Sequence, residues 1–246
     1  MTIDRRTLLS VGLAASFARV RASEAQPLAQ PSVSPEEQRL HTDWAYLARY
    51  RNDNARVQAL PAQARRVVFI GDSITQGWID FHPEFFAANG FIDRGISGQT
   101  TPQMLARFRQ DVISLAPAAV HILAGTNDVA ENTGPFDAEA TRSNFQSMAE
   151  LARLHGIGVI LGAVPPAADF YWRRGLGPIP KIRAMNEWMR GYAAANRFAF
   201  ADYTSLLDDG NGAMRPGLSY DGVRPTKAGY LVMEHITLPA VASALA

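Results

Sequence analysis

The sequence predicts an α/β fold, a five-stranded parallel sheet with helices on both faces. Three observations predict it. Five short apolar runs, near residues 66–70, 91–95, 119–124, 158–164 and 197–201, alternate with longer segments of helical pattern. The first run, Val67-Val68-Phe69-Ile70, has no polar alternation, so both its faces are buried, as in a parallel sheet. The early runs end in small polar turns that carry glycine, where open α/β sheets bind their ligands.

Composition sets the bounds. The 246 residues are 47% hydrophobic and 19% charged, enough for a substantial core. A net charge of +1 gives no sign of nucleic acid or an anionic membrane surface as partner. No apolar run reaches transmembrane length. The absence of cysteine excludes disulfides, thiolate zinc sites and a cysteine nucleophile.

Residues 1–22 have the build of an export signal: Arg5-Arg6, an uncharged stretch from Thr7 to Ala18, and a small-residue exit at Ala22. The paired arginines ahead of Leu8-Leu9 resemble a twin-arginine leader, which implies a periplasmic or secreted protein. The competing reading is a frayed terminal helix. Loss of 1–22 removes four arginines and one aspartate, taking the net charge from +1 to −2. Residues 23–33, rich in Gln, Pro and Ala, form a linker, and 34–246 the folded domain.

Ser34-Pro35-Glu36-Glu37 opens a helix, in one or two pieces, that Pro61 ends. Its candidate inward residues are Trp44, Leu47, Tyr50 and Val57. After strand 66–70 come a short helix over 83–88, strand 91–95 and a helix over 101–115 that Thr101-Pro102 starts. Strand 119–124 precedes helix 138–155, which Gly156 ends. Strand 158–164, helix 180–195, strand 197–201, loop 204–225 and helix 226–245 complete the chain.

Chemistry gathers at the strand ends. Gly71-Asp72-Ser73, Ser97-Gly98 and Gly125-Thr126-Asn127-Asp128 share one edge of a parallel sheet. Ser73 on a sharp turn offers a nucleophilic hydroxyl; the competing reading is a helix cap. The N–H groups of Ser73 and Gly98 and the Asn127 amide form a three-donor oxyanion hole if the turns converge. Asp169-Phe170-Tyr171-Trp172-Arg173-Arg174 follows the fourth strand. Phe170, Tyr171 and Trp172 are candidates for a substrate wall, or for packing of the loop on its own scaffold. Asp72, Asp128 and Asp221 invite a metal, but the first two suit turn backbone and no histidine clusters with them, so no metal or cofactor is expected.

Four blocks, Gly71-Asp72-Ser73-Ile74, Asp93 to Thr101, Gly125-Thr126-Asn127-Asp128 and Asp221-Gly222-Val223-Arg224-Pro225, resemble those of the SGNH hydrolases, the GDSL-type esterases and lipases. The branch is similar to acetylhydrolase-like and carbohydrate-ester enzymes. The resemblance implies a flavodoxin-like three-layer α/β/α sandwich with strand order 2-1-3-4-5. It implies Ser73 as nucleophile, Ser73, Gly98 and Asn127 as oxyanion donors, and Asp221 as the orienting acid. It implies hydrolysis of small acyl esters, acetyl above all, on carbohydrate or lipid, with a small-molecule ester as partner.

One departure bears on all of this. The family reads Asp-x-x-His in its last block, and this chain has Arg224 at the histidine position. An imidazole three residues from the carboxylate takes the serine proton; a guanidinium stays protonated and accepts nothing. Thr226, where the family often has asparagine, is a lesser departure. Among the other histidines, His121 falls inside a strand, His155 and His235 on helices and His41 ahead of the sheet. Only His82, in the segment after the nucleophile turn, is a candidate to reach the site. The alternative to an impaired esterase is an inactive relative that binds an ester or glycan.

Overall fold

Five short strands make the sheet: β1 Val67–Gly71, β2 Phe91–Gly95, β3 Ala119–Leu123, β4 Gly158–Gly162 and β5 Ala199–Ala201. In this computed structural model, which describes residues 34–246, all pair parallel in the order β2-β1-β3-β4-β5. The expected leader and linker, residues 1–33, lie outside the described residues. The helices are α1 Pro35–Thr42, α2 Arg51–Gln58, α3 Ser73–Phe81, α4 Pro83–Asn89, α5 Thr101–Asp111, α6 Thr126–Val129, α7 Ala138–Leu154, α8 Pro178–Asn196, α9 Thr204–Leu207 and α10 Lys227–Ala244.

Alternation along the buried strands makes three layers. Val68, Ile70, Val120, Ile122, Val159 and Leu161 face Met104 and Phe108 of α5, Phe145 and Met148 of α7 and Met185 and Met189 of α8. Val67, Phe69, Ala119, Leu123 and Ile160 face Trp78 of α3, Phe85 and Phe86 of α4 and Tyr230 and Met233 of α10.

Three features differ from the sequence expectation, the first being Trp44. The N-terminal helix comes in two pieces, one of the two forms expected, and breaks over 43–50 because the Asp43 carboxylate takes the backbone N–H groups of Leu47 and Ala48 at 2.7 and 2.9 Å. Trp44 in that turn is 42% exposed, not inward. Second, a helix, α3, begins directly at Ser73. Ile74, Thr75 and Gly77 are poor helix formers, but burial of Ile74 and Trp78 against the sheet outweighs propensity. Third, α9 occupies part of the expected loop.

A buried guanidinium ties strand ends to helices. Arg107 of α5 is 0% exposed. It donates to the Gly71 carbonyl at 3.0 Å, to Gln99 Oε1 at 2.6 Å and to Asp111 Oδ2 at 3.0 Å. Asn54 of α2 donates to the other Asp111 oxygen at 2.6 Å and accepts from Arg94 Nε at 2.8 Å. Substituting Arg107→Met strands a buried carboxylate and should cost about 3–5 kcal/mol, read by urea unfolding. Arg107→Met with Asp111→Leu should recover part of the loss; an unchanged midpoint in the single variant would remove the network from the account.

Candidate active site

Strand register brings the three turns together. Gly71 is level with Gly95 on one side and Leu123 on the other. Ser73, Gly98 and Asn127 follow those residues by two, three and four positions, at the carboxyl edge where the strand order reverses. Gly71 must be glycine: a Cβ there would sit 1.9 Å from Thr75 Oγ1 and 2.7 Å from the Leu123 carbonyl. Without it, α3 does not close onto the sheet, and Ser73 does not begin that helix at the edge.

Asp72, not Ser73, caps α3: its side chain accepts from the Ile74 N–H at 2.8 Å. Ser73 is thereby left as the first helical residue, partly exposed, and the reading of it as a cap is set aside. The Asn127 amide donates to Asp72 Oδ2 at 3.2 Å and to the Gln99 carbonyl at 3.0 Å. One side chain on the β3 turn thus binds the residue before Ser73 and the residue after Gly98. Gly98 is exposed with φ +79°, a left-handed conformation that glycine takes without strain, and nothing lies within 4 Å of where a Cβ would be.

Asn132, which the sequence reading did not single out, holds this group from outside. It donates to Asn127 Oδ1 at 2.9 Å and to the Gly98 carbonyl at 3.3 Å, and accepts from the Trp172 indole at 3.0 Å. Its only sequence signal is a place in the turn Glu131-Asn132-Thr133-Gly134. The Asp128 carboxylate is engaged by Thr101, accepting from its N–H at 3.1 Å and from its hydroxyl at 2.5 Å. It is a scaffold residue that anchors the start of α5. Among the described residues no group of three His, Cys, Asp or Glu side chains is placed to hold a metal.

Electrostatics at the edge follow burial. Burial pushes the Asp72 carboxyl up to about 7, opposed by the Ile74 N–H and reinforced by Asp128. Burial pushes Asp93, at the end of β2, up to about 7 as well, against its bond from the Gly95 N–H.

The other half of the site is an ion pair. Arg224 donates from Nε to Asp221 Oδ2 at 2.7 Å, while Asp221 Oδ1 accepts the backbone N–H groups of Arg224 and Val223 at 2.7 and 2.9 Å. Burial opposes the Arg224 charge, but Asp221 outweighs it and holds the guanidinium above its ordinary pKa. Arg224 also donates to the Tyr171 hydroxyl, and its guanidinium lies 5.1 Å from the Tyr220 ring centroid.

Tyr171 and Trp172 are 50% and 38% exposed and pack edge to face at 4.9 Å. Through their polar atoms they connect Arg224 to Asn132. Phe170 is corrected: at 0% exposure it belongs to the core, where only packing is open to it. A cavity of about 230 Å³ lies between Ala168, Asp169, Tyr171, Met214 and Asp221.

Among the described residues the hydrogen bonds of the histidines go elsewhere than to Asp221 or Ser73. His82 ends α3, roughly 13 Å along the axis from Ser73, and its Nδ1 contacts Glu234 Oε1 at 2.7 Å. His121 is buried in β3 with Nε2 2.8 Å from the Tyr203 hydroxyl, and burial lowers its pKa to about 3. His41, His155 and His235 are exposed on α1, at the end of α7 and on α10.

A serine-bearing turn, a glycine loop and an asparagine amide are thus gathered at the carboxyl edge of a three-layer α/β/α sheet. The profile of the GDSL-like lipase/acylhydrolase family matches residues 69–232, and the chain belongs to this SGNH hydrolase family, whose chemistry is ester hydrolysis. A GDSL-like lipase structure from Bacteroides thetaiotaomicron is 47% identical, with a TM-score of 0.79, covering 82% of this chain and 100% of that one. Esterase TesA of Pseudomonas aeruginosa is 28% identical over 182 residues, 68% of this chain and 83% of its own length. The uncharacterized lipoprotein YqeF of Bacillus subtilis is 30% identical over 132 residues, 44% of this chain and 54% of its own.

The raised carboxyl pKa values have a pH signature. A native carboxyl near 7, against 3.8 when unfolded, stabilises fully below about 4 and loses that contribution as pH rises through about 7. Asp93→Asn keeps an acceptor for the Gly95 N–H and removes one of the two groups. Its melting temperature should fall less between pH 4 and pH 8 than that of the parent chain. Parallel pH profiles would show that Asp93 is ionised throughout.

Proposed function

We propose that this chain is an exported serine esterase for small acyl esters, acetyl esters in particular, that works slowly because Arg224 occupies the general-base position. The observation that carries the reading is the Asn127 amide, bonded at once to Asp72 beside Ser73 and to Gln99 beside Gly98. Three turns far apart in sequence are thereby held as one polar cradle.

The Ser73 hydroxyl attacks the ester carbonyl carbon, and the carbonyl oxygen becomes an oxyanion. The N–H groups of Ser73 and Gly98 and the Asn127 amide stabilise it. Both amide hydrogens of Asn127 are engaged without substrate, so one bond becomes shared with the oxyanion when substrate enters. The alcohol leaves with a proton, and water then releases the acid from the acyl-Ser73 intermediate. Both steps need a proton acceptor at the serine. Arg224 has no lone pair to offer, and its charge is bound to Asp221. The hole alone retains part of the acceleration.

The cavity beside Asp221 and Tyr171 suits a small group, in keeping with a short acyl chain or a sugar face. Export is supported by the leader pattern in residues 1–22 and by the likeness to a lipoprotein. Among the described residues no helix is long and apolar enough to cross a membrane. A second reading, an ester- or glycan-binding protein without turnover, is favoured by the same Asp221–Arg224 pair, since both oxygens of the orienting acid are already engaged.

Hydrolysis of p-nitrophenyl acetate separates the two. Arg224→His should exceed the parent chain by at least about two orders of magnitude, and Ser73→Ala should abolish activity in both. Equal rates would assign the base to another residue; two folded but inactive proteins would favour the binding reading. Asn127→Ala in the Arg224→His background should lower kcat about 10²- to 10³-fold with a smaller change in KM. A change confined to KM would remove Asn127 from the hole.

A further inference from the structure

A groove of about 370 Å³ is lined by Pro35, Arg39, Tyr46, Arg49, Gln76, Ile96 and Ser97. Its floor belongs to the site. Gln76 is one turn beyond Ser73 on α3, and its Oε1 accepts from the Ser97 N–H at 2.9 Å, next to Gly98. Its wall is cationic. Arg39 lies 4.6 Å from the Tyr46 ring centroid and Arg49 5.4 Å from that of Tyr50. Tyr50 in turn donates to the Gly95 carbonyl at the end of β2. The aromatic faces hold each guanidinium flat and leave its N–H edge available.

The charge pattern is specific to this groove. Neither arginine has an ion pair with a carboxylate among the described side chains, and no lining residue is acidic. The cavity beside Asp221 has two aspartates in its wall. The one at the β4–β5 end, about 260 Å³, has Glu187 and Asp208. Tyr46, which carries Arg39, sits at φ +55°, a left-handed backbone that costs free energy in a non-glycine residue. The turn that breaks the N-terminal helix lets Arg39 of α1 and Arg49 line the same groove as Ser97.

We propose that this groove is an anion subsite: Arg39 and Arg49 receive a carboxylate or phosphate on the ester whose acyl group Ser73 attacks. The substrate class is then an acylated anionic compound rather than a neutral ester. The assignment rests on Ser73 being the reacting residue. Two guanidinium forks on one anion give charge-assisted bonds, strongest for planar or tetrahedral oxyanions.

The test reads binding apart from turnover. Isothermal titration of the full chain with 4-acetamidobenzoate, phenyl phosphate and neutral acetanilide should show the anions binding at least about tenfold tighter, with affinity falling as salt rises. Arg39→Gln with Arg49→Gln should abolish the preference. Arg49→Gln alone, at an exposed position, should weaken it, and Arg109→Gln on the outer face of α5 should not. The order of the two anions tells carboxylate from phosphate substrates. Equal affinity for neutral and anionic probes, or a preference that survives the double substitution, overturns the proposal. An inactive chain that still prefers anions keeps the subsite and removes only the esterase reading; an active chain without the preference does the reverse.

Discussion

A guanidinium that no water reaches holds this edge of the sheet together. Arg107 binds the carbonyl of Gly71, the last residue of β1, and the side chain of Gln99, which follows Gly98. It is held in turn by Asp111, and Asp111 by Asn54 from the N-terminal segment. A buried charge of this kind is tolerated only when every partner is in place. The same bonds that satisfy Arg107 therefore set the distance between the Ser73 turn and the Gly98 loop. Gln99 serves both sides, since its carbonyl accepts from Asn127 and its side-chain amide donates to the Ala45 carbonyl at 2.7 Å.

That arrangement explains what the sequence revealed and what it hid. The strands were legible because short stretches rich in β-branched and apolar residues alternate with glycine-bearing turns, and the observed bounds differ from the expected ones by at most two residues at either end. Gly98 and Asn127 were legible because each lies on such a turn. Helix α3 was not, because residues with weak propensity become helical only when Trp78 is buried under Phe85 and Tyr230. Asn132, and its link to Trp172, were hidden for another reason. Their bond joins two loops 40 residues apart, and no local pattern announces it. Phe170 shows the limit of composition: three aromatics in a row read alike, yet one enters the core and two stay at the surface.

Arg224 was visible as an anomaly from the first, and the structure gives it a place rather than an excuse. Its guanidinium binds Asp221, its other end meets the Tyr171 hydroxyl, and two tyrosine rings flank it. Where the resemblance implies an Asp-x-x-His turn, Asp221 and Arg224 form a closed turn that presents a cation instead of a proton acceptor. Arg39 and Arg49 line a separate groove that reaches Gln76 of α3 and Ser97, so the proposed site has a second source of positive charge. Such a field favours an oxyanion and an anionic substrate together, but it cannot move a proton.

The central claim is that Ser73 lies in a working oxyanion hole, whatever the fate of the base. Incubation of the chain with a fluorophosphonate, followed by intact-mass and peptide analysis, tests this most directly, because the phosphonyl oxygen occupies the position of the oxyanion. A working hole at Ser73 gives a single slow adduct on Ser73 that Asn127→Ala suppresses. A folded protein that forms no adduct, or forms it on another residue, would contradict it.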